Sequence, residues 1–222
     1  PNFIGHDLVM NPSISFKVNN MEIESPYQGF YNAYNILAAV SVAKLVGVRD
    51  KAVKEAIAAF KPQAGRLETF NIAGKKTVLI LVKNPTGLNQ TLSMLTNDPA
   101  SKDVFIALND NAADGRDISW IWDADVEVLS AQEARVLKIV CSGLRSADMA
   151  LRVKYAGIDT EKIIIESDLK EGICATIKQQ GEVSYILSTY TALFNCRKIL
   201  VKLEQQRPGQ NYNQARRAVG NN

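Results

Sequence analysis

Residues 103–108 read DVFIAL and lead directly into a polar stretch, residues 109–125, that reads NDNAADGRDISWIWDAD. An apolar run of this length, bounded by turn residues, is typical of a strand buried on both faces of a sheet. In α/β sheets, ligands bind outside the carboxyl ends of the strands. Five aspartates and both tryptophans of the chain stand in the polar stretch. The sequence here therefore predicts an α/β fold and a candidate functional site together.

Residues 109–125, called the acidic stretch below, fit three alternatives. Asp and Asn beside Gly form turns, so the stretch fits a solvated structural loop. A hard cation would need oxygens of Asp110, Asp114 and Asp117 clustered together, and their spacing does not match an EF-hand. The only histidine, His6, has no acid or cysteine close to it in sequence. Because the chain offers no evident base or nucleophile, the third alternative is a site completed by another polypeptide.

Strand-like and helix-like runs alternate on both sides of the acidic stretch. The predicted strands are residues 77–82, 104–108, 136–141, 162–166 and 183–187. One predicted helix begins over residues 88–95. Three more are predicted over residues 146–155, 170–178 and 191–203. Such alternation predicts a mostly parallel sheet with helices on both faces.

The first third of the chain has a different pattern. Residues 13–24 alternate apolar and polar side chains around Asn19-Asn20, which predicts a β-hairpin. Helices are predicted from about Asn32 and over residues 51–60, and a second hairpin turn at Ala73-Gly74. We place a domain boundary near residues 61–72. The predicted parts are residues 1–62, residues 63–204 and a polar tail, residues 205–222.

Composition limits the classes of function. Hydrophobic residues make up 46% of the chain and charged residues 22%, the balance of a soluble globular protein. A net charge of +3 is too small to indicate binding to nucleic acid or to a membrane surface. No apolar run approaches the roughly 20 residues of a membrane span, so we predict no integral membrane protein. Three widely spaced cysteines favour reduced thiols in the cytoplasm over disulfides.

Three short motifs resemble segments of the Mur ligases, the ATP-dependent amide-forming enzymes of peptidoglycan synthesis. Residues 29–39, GFYNAYNILAA, resemble their G-x-x-N-x-x-N-x-L-A-A segment, which implies that Asn32 and Asn35 lie near the adenine of ATP. From the pattern alone, these asparagines fit either a helix cap or contact with a heterocycle. Residues 65–68, GRLE, resemble the interdomain hinge, where Arg66 would approach the phosphates. Residues 83–87, KNPTG, resemble the loop that opens the C-terminal domain and add Lys83 and Asn84 to the ATP-binding set.

The acidic stretch carries a more specific resemblance. Residues 109–123 look like the signature of the MurT family, the Mur-ligase-like subunits of lipid II isoglutaminyl synthases. This implies the end of a Mur ligase central domain followed by a Rossmann-like Mur ligase C-terminal domain. It also implies ATP-dependent amidation of the α-carboxyl of D-glutamate in the lipid II stem peptide, with ammonia supplied by a GatD-type glutaminase partner.

The resemblance assigns roles to particular acids. The partner has a nucleophilic cysteine and a histidine, and Asp117 would be the third triad acid that orients and stabilises that histidine. Asp110, Asp114 and Asp123 would be substitutes or supports. Two alternatives stay open: a fragment of an ordinary Mur ligase that adds an amino acid, and a non-catalytic scaffold whose acidic stretch only docks a partner.

Two family features would precede Pro1, which is not a methionine, so we expect a fragment of a longer protein. These are the phosphate-binding loop for ATP with Mg²⁺ and a four-cysteine zinc ribbon. We therefore expect this chain alone to bind no zinc and hydrolyse no ATP. The whole enzyme is expected in the cytoplasm, acting on lipid II at the inner face of the membrane.

Overall fold

The computed structural model describes residues 2–10, 13–26, 30–60 and 65–206. By the density of contacts, the chain divides into two compact units, Pro1–Lys61 and Pro62–Asn222. From residue 207 onward, the predicted polar tail lies outside the described residues, whereas residue 205 still belongs to the last helix.

The first unit contains an antiparallel three-stranded sheet and two helices. Its elements are β1 (Gly5–Met10), β2 (Ile14–Val18), β3 (Met21–Ser25), α1 (Phe30–Leu45) and α2 (Asp50–Ala59). The predicted hairpin is confirmed as β2 and β3, whose alternate side chains are buried against apolar residues of the two helices. Strand β1, which carries His6, was not predicted, because all six of its residues are exposed and show no alternation.

The second unit has a six-stranded sheet with helices on both faces. Its elements are β4 (Arg66–Ile72), β5 (Lys75–Leu81), α3 (Pro85–Asn97), β6 (Lys102–Ala107), β7 (Val136–Ser142), α4 (Ser146–Tyr155), β8 (Ile163–Ile165), α5 (Leu169–Ile177), β9 (Val183–Ser188) and α6 (Tyr190–Gln205). The strand order is β4-β5-β9-β6-β7-β8, and every neighbouring pair is parallel except β4 with β5. The predicted α/β architecture is therefore confirmed.

Side chains of each central strand alternate between two cores. On β6, Val104 and Ile106 pack with α3 and α4, whereas Phe105 and Ala107 pack with α5 and α6. Burial on both faces explains why the strand reads as an unbroken apolar run rather than an alternating one.

The segment between β6 and β7 was the least predictable part of this unit. It contains three short 3-10 helices, Ser119–Asp123, Val126–Ser130 and Gln132–Ala134. Residues Ile121, Ala124, Val126 and Leu129 belong to the core that faces α3 and α4. From Ile118 onward, the segment is thus a packed layer over that face of the sheet, whereas residues 111–117 are exposed apart from the half-buried Asp114.

Candidate functional site

The acidic stretch begins at the carboxyl end of β6, where β7 and β9 also end. Its first residue, Asn109, is buried and bonds to both neighbouring strand ends. The amide N of Asn109 donates to Thr189 Oγ1 after β9 at 3.0 Å, and its Oδ1 accepts from the amide N of Leu144 after β7 at 2.9 Å. Gly143 has φ +83°, and a Cβ there would lie 2.7 Å from Asn109 Oδ1. Only glycine fits at position 143, because any side chain there would collide with Asn109. The two hydrogen bonds of Asn109 fix the start of the stretch to the ends of β7 and β9.

Two of the aspartates already have partners in the same chain. Asp110 Oδ2 accepts from Arg145 Nε at 2.8 Å and Nη2 at 2.6 Å, and this arginine holds the pKa of Asp110 below its ordinary value. Asp114 accepts from the amide N of Thr191 at 2.8 Å and from its hydroxyl at 2.6 Å. Both carboxylates are therefore engaged in holding the stretch against α4 and α6.

Asp117 is in a different position. Its side chain is exposed, and Oδ1 accepts a hydrogen bond from the amide N of Ser119 at 2.8 Å. Bonds from Ser119 lower the pKa of Asp117, so its carboxylate is ionised at neutral pH. Asp123 is also exposed and has no hydrogen bond or ion pair within the described residues. Asp117 thus presents an ionised, locally oriented carboxylate to the surface.

The segment after Asp117 is anchored to α4 by the buried Arg152. Arg152 on α4 donates from Nε to the carbonyl of Ile121 at 3.0 Å, and from Nη2 to the carbonyl of Ala124 at 2.7 Å and to Glu127 Oε2 at 2.8 Å. Its guanidinium lies 5.3 Å from the ring centre of Trp122. The sequence analysis missed this anchor, because no local pattern marks a helix arginine as buried.

The residues expected to contact ATP phosphates gather at the same edge of the sheet. Lys83 and Asn84 follow β5, and Arg66 opens the antiparallel β4, where it pairs with Ile80 near the end of β5. Lys83 and Arg66 are exposed, and neither side chain has a hydrogen bond or ion pair within the described part of the chain. Asn84 instead caps α3, since its Oδ1 accepts from the amide N of Gly87 at 2.8 Å.

The GRLE motif has a structural explanation besides the predicted one. Gly65 has φ +77°, and a Cβ there would lie 2.5 Å from Cδ1 of Leu193 on α6. Glu68 accepts from Arg197 Nε at 2.9 Å through both oxygens, which ties β4 to the same helix. Gly65 and Glu68 therefore hold α6 against β4, whereas the side chain of Arg66 is exposed.

Asn32 and Asn35 lie within the first unit and share one face of α1. Asn35 Nδ2 donates to Asn32 Oδ1 at 3.4 Å. Helix α1 begins at Phe30, two residues earlier than predicted, so both asparagines are inside the helix. The alternatives of a helix cap and of contact with a heterocycle both stay predictions.

Within the described residues, no group of three or more histidines, cysteines and acids could hold a metal ion. The alternative of a cation cluster at Asp110, Asp114 and Asp117 is therefore not supported. Cys141 and Cys196 are buried free thiols, and burial raises the pKa of each to about 12. Among the helices that the structure describes, none is both long and apolar enough to cross a membrane.

Comparison with solved structures places this fold among the Mur ligases. A crystal structure of MurF from Acinetobacter baumannii superposes with a TM-score of 0.66 at 16% identity, over 92% of this chain and 46% of that one. Folylpolyglutamate synthase from Mycobacterium tuberculosis, complexed with ADP and AMPPCP, gives a TM-score of 0.65 at 17% identity, over 93% of this chain and 49% of that one. The architecture is that of a Mur-ligase-like α/β protein.

Sequence comparison is more specific. The family model described as MurT ligase C-terminal matches residues 81–193, just over half of the chain. The MurT subunit of a lipid II isoglutaminyl synthase (glutamine-hydrolyzing) from Streptococcus pneumoniae is 36% identical over 185 residues, which cover 83% of this chain and 41% of that protein. The chain belongs to the MurT family, and it spans well under half the length of this relative.

Proposed function

We propose that the chain acts within the synthetase subunit of a glutamine-dependent amidotransferase that amidates the α-carboxyl of D-glutamate in lipid II. The Streptococcus pneumoniae relative is a subunit of a glutamine-hydrolyzing lipid II isoglutaminyl synthase, which supports this reaction over addition of an amino acid. The expected partner is a GatD-type glutaminase, and the expected place of action is the cytoplasmic face of the membrane.

One observation carries the proposal: Asp117 presents an ionised carboxylate that no other side chain of the described residues binds, except for Ser119 two residues away. Asp110 and Asp114, the other acids at the start of the stretch, are engaged by Arg145 and Thr191. An exposed, charged acid without a cationic partner is suited to accept an N–H from a group outside the chain.

In the proposed reaction, Asp117 accepts the Nδ1–H of the partner's histidine. This bond fixes the ring so that Nε2 can take the proton of the partner's cysteine, and it stabilises the imidazolium that forms. The thiolate attacks the amide carbon of glutamine, and the imidazolium gives its proton to the nitrogen that leaves as ammonia. Water then hydrolyses the resulting thioester, which releases glutamate and restores the thiol. Cys141 and Cys196 of this chain are unsuited to that role, because they are buried and their pKa values lie near 12.

The phosphates of ATP are proposed to bind at the neighbouring strand ends, after β5 and at the start of β4. ATP with Mg²⁺ supplies activation of the glutamate carboxyl, which ammonia then attacks. Lys83 and Arg66 offer exposed cations for phosphate oxygens, and Asn84 fixes the start of α3 beside them. Asn32 and Asn35 are proposed near the adenine on the basis of the family motif.

The deciding experiment is Asp117→Asn in the full-length synthetase, co-purified with the glutaminase subunit. We expect the complex to assemble, glutamate release from glutamine to be lost, and amidation of lipid II with free ammonia to be retained. Glu133→Gln, at an exposed acid on a neighbouring 3-10 helix, is the matched control, and Asp123→Asn tests the other exposed acid of the stretch.

Retained glutamine hydrolysis in Asp117→Asn would refute the role of this acid. Weakened association with unchanged hydrolysis in the assembled complex would instead favour the scaffold alternative. Failure of ammonia in the wild-type enzyme, while an amino acid is accepted, would favour an ordinary Mur ligase.

A further inference from the structure

Helix α6 is capped by a residue that lies far from it in sequence. Its N-cap residue, Thr189, makes no capping bond with its side chain, whose hydroxyl accepts from the amide N of Asn109 at 3.0 Å. The amide N of Thr191, in the first turn, donates to Asp114 Oδ1 at 2.8 Å. Asp114 thus supplies both the missing acceptor and a negative charge at the positive end of the helix dipole.

The hydroxyl of Thr191 forms hydrogen bonds with three residues of the acidic stretch. It donates to Asp114 Oδ2 at 2.6 Å, and it accepts from Nδ2 of Asn109 at 3.0 Å and from Nδ2 of Asn111 at 2.9 Å. A threonine hydroxyl has one proton and two acceptor positions. All three are therefore used, and each joins α6 to a different residue of the stretch.

We infer that Asp114 and Thr191 are positioning residues for Asp117. This inference rests on the proposed function of Asp117 as an acid for a partner's histidine. Asp117 follows Asp114 by three residues, and Gly115 between them has φ +84° with no atom near its Cβ position. The turn itself is closed by the amide N of Asp114, which donates to the carbonyl of Asn111 at 2.9 Å, and by the amide N of Asn111, which donates to Asp114 Oδ2 at 3.1 Å. The bonds at Thr191 then fix this closed turn to α6.

The downstream side of Asp117 is fixed separately. Ile118 and Trp120 pack against the core that faces α3 and α4, and Ile121 is fully buried within it. Asp117 is therefore held between a packed end and a hydrogen-bonded end. Loss of the hydrogen-bonded end would move the carboxylate while leaving the core unchanged.

Substitution at Thr191 separates the hydrogen bonds from the packing. Thr191→Val keeps the shape and removes all three hydroxyl bonds, whereas Thr191→Ser keeps the hydroxyl. Asp114→Asn is disruptive for a specific reason. Its new NH₂ group would point a third donor at an oxygen whose two acceptor positions are already filled. Thr160→Val, at an exposed threonine, is the matched control.

The assay uses the full-length synthetase with its glutaminase subunit. For Thr191→Val and Asp114→Asn, we expect kcat of glutamine hydrolysis to fall about ten-fold or more, because small misplacements of an orienting group are costly. KM for glutamine and amidation with free ammonia should not change. Thr191→Ser should restore most of kcat. Amide hydrogen exchange of residues 109–119 should be faster in Thr191→Val than in wild type.

The outcomes separate this inference from the proposed function. If Asp117→Asn loses hydrolysis but Thr191→Val and Asp114→Asn keep wild-type kcat, the positioning role is overturned. The proposed function of Asp117 then still stands. If Asp117→Asn keeps hydrolysis, the proposed function fails, and unchanged hydrogen exchange in Thr191→Val then overturns the anchoring as well. Loss of the ammonia reaction in both variants would also overturn it, because the pair would then support the whole fold and not the position of one acid.

Discussion

Replacement of Arg152 by methionine should loosen the layer that carries both tryptophans. Arg152 is 2% exposed and donates to the carbonyls of Ile121 and Ala124 and to the carboxylate of Glu127. Methionine keeps much of the apolar stem but has no donor. Two carbonyls in the buried layer would then lose their charged partner.

The expected loss can be worked out from these contacts. The carbonyl of Ile121 would be left without a donor, which costs about 1–3 kcal/mol. The carbonyl of Ala124 keeps the amide N of Val126 at 2.9 Å, so loss of its second donor costs only about 1 kcal/mol. The pair with Glu127 contributes about 1 kcal/mol or less, because that carboxylate side chain is 59% exposed. The guanidinium above the half-exposed Trp122 contributes roughly 0.5–1 kcal/mol. Together the unfolding free energy should fall by about 2.5–6 kcal/mol, which lowers Tm by roughly 5–20 °C for a chain of this size.

Intrinsic fluorescence during denaturant unfolding measures this loss directly. The only tryptophans of the chain, Trp120 and Trp122, both lie on the 3-10 helix that Arg152 holds. Lys154→Met, at an exposed position of the same helix α4, is the matched control and should change stability by less than about 0.5 kcal/mol. A fall of less than about 1 kcal/mol in Arg152→Met, with wild-type emission, would contradict the reasoning.

Three further predictions concern other parts of the second unit. Lys83→Met should raise KM for ATP about ten-fold in the full-length enzyme, because one charged hydrogen bond to a phosphate is lost. Lys178→Met, at the opposite edge of the sheet, should leave this KM unchanged, and equal effects would refute the assignment of Lys83 to ATP binding. Gly65→Ala should lower the unfolding free energy by about 2–4 kcal/mol through its close contact with Leu193, against about 1 kcal/mol for Gly74→Ala, which has positive φ and open space. Native protein at pH 8 should leave Cys141 and Cys196 unmodified by iodoacetamide, because burial raises their pKa values to about 12, and rapid labelling of either thiol by mass spectrometry would contradict that burial.

The sequence could predict those elements whose residues carry a local pattern. The strand containing Phe105 and Ile106 was recognisable because burial on both faces requires an unbroken apolar run. The hairpin about Asn19 was recognisable from alternation, and Asn19 has the positive φ of 52° that such a turn favours. Strand β1 lacked such a signal, since all of its residues are exposed.

Long-range pairs in the candidate site were beyond any local pattern. Family resemblance singled out Asp117, but it did not show that Asp110 and Asp114 are bound to Arg145 and Thr191, which lie 35 and 77 positions away. Those pairings depend on strand order, because β9 brings Thr191 beside the end of β6 only after the sheet has formed. The sequence therefore identified the acids, and the fold distinguished the engaged Asp110 and Asp114 from the exposed Asp117 and Asp123.

The central place of β9 also has a consequence for biosynthesis. A ribosome delivers β5 and β6 well before Val183–Ser188, yet that late strand is the one inserted between them. Until it emerges, the nascent polypeptide lacks both the middle of its sheet and the two threonines that hold the acidic stretch. In an unfinished chain, the acidic stretch would consequently have no anchor on α6.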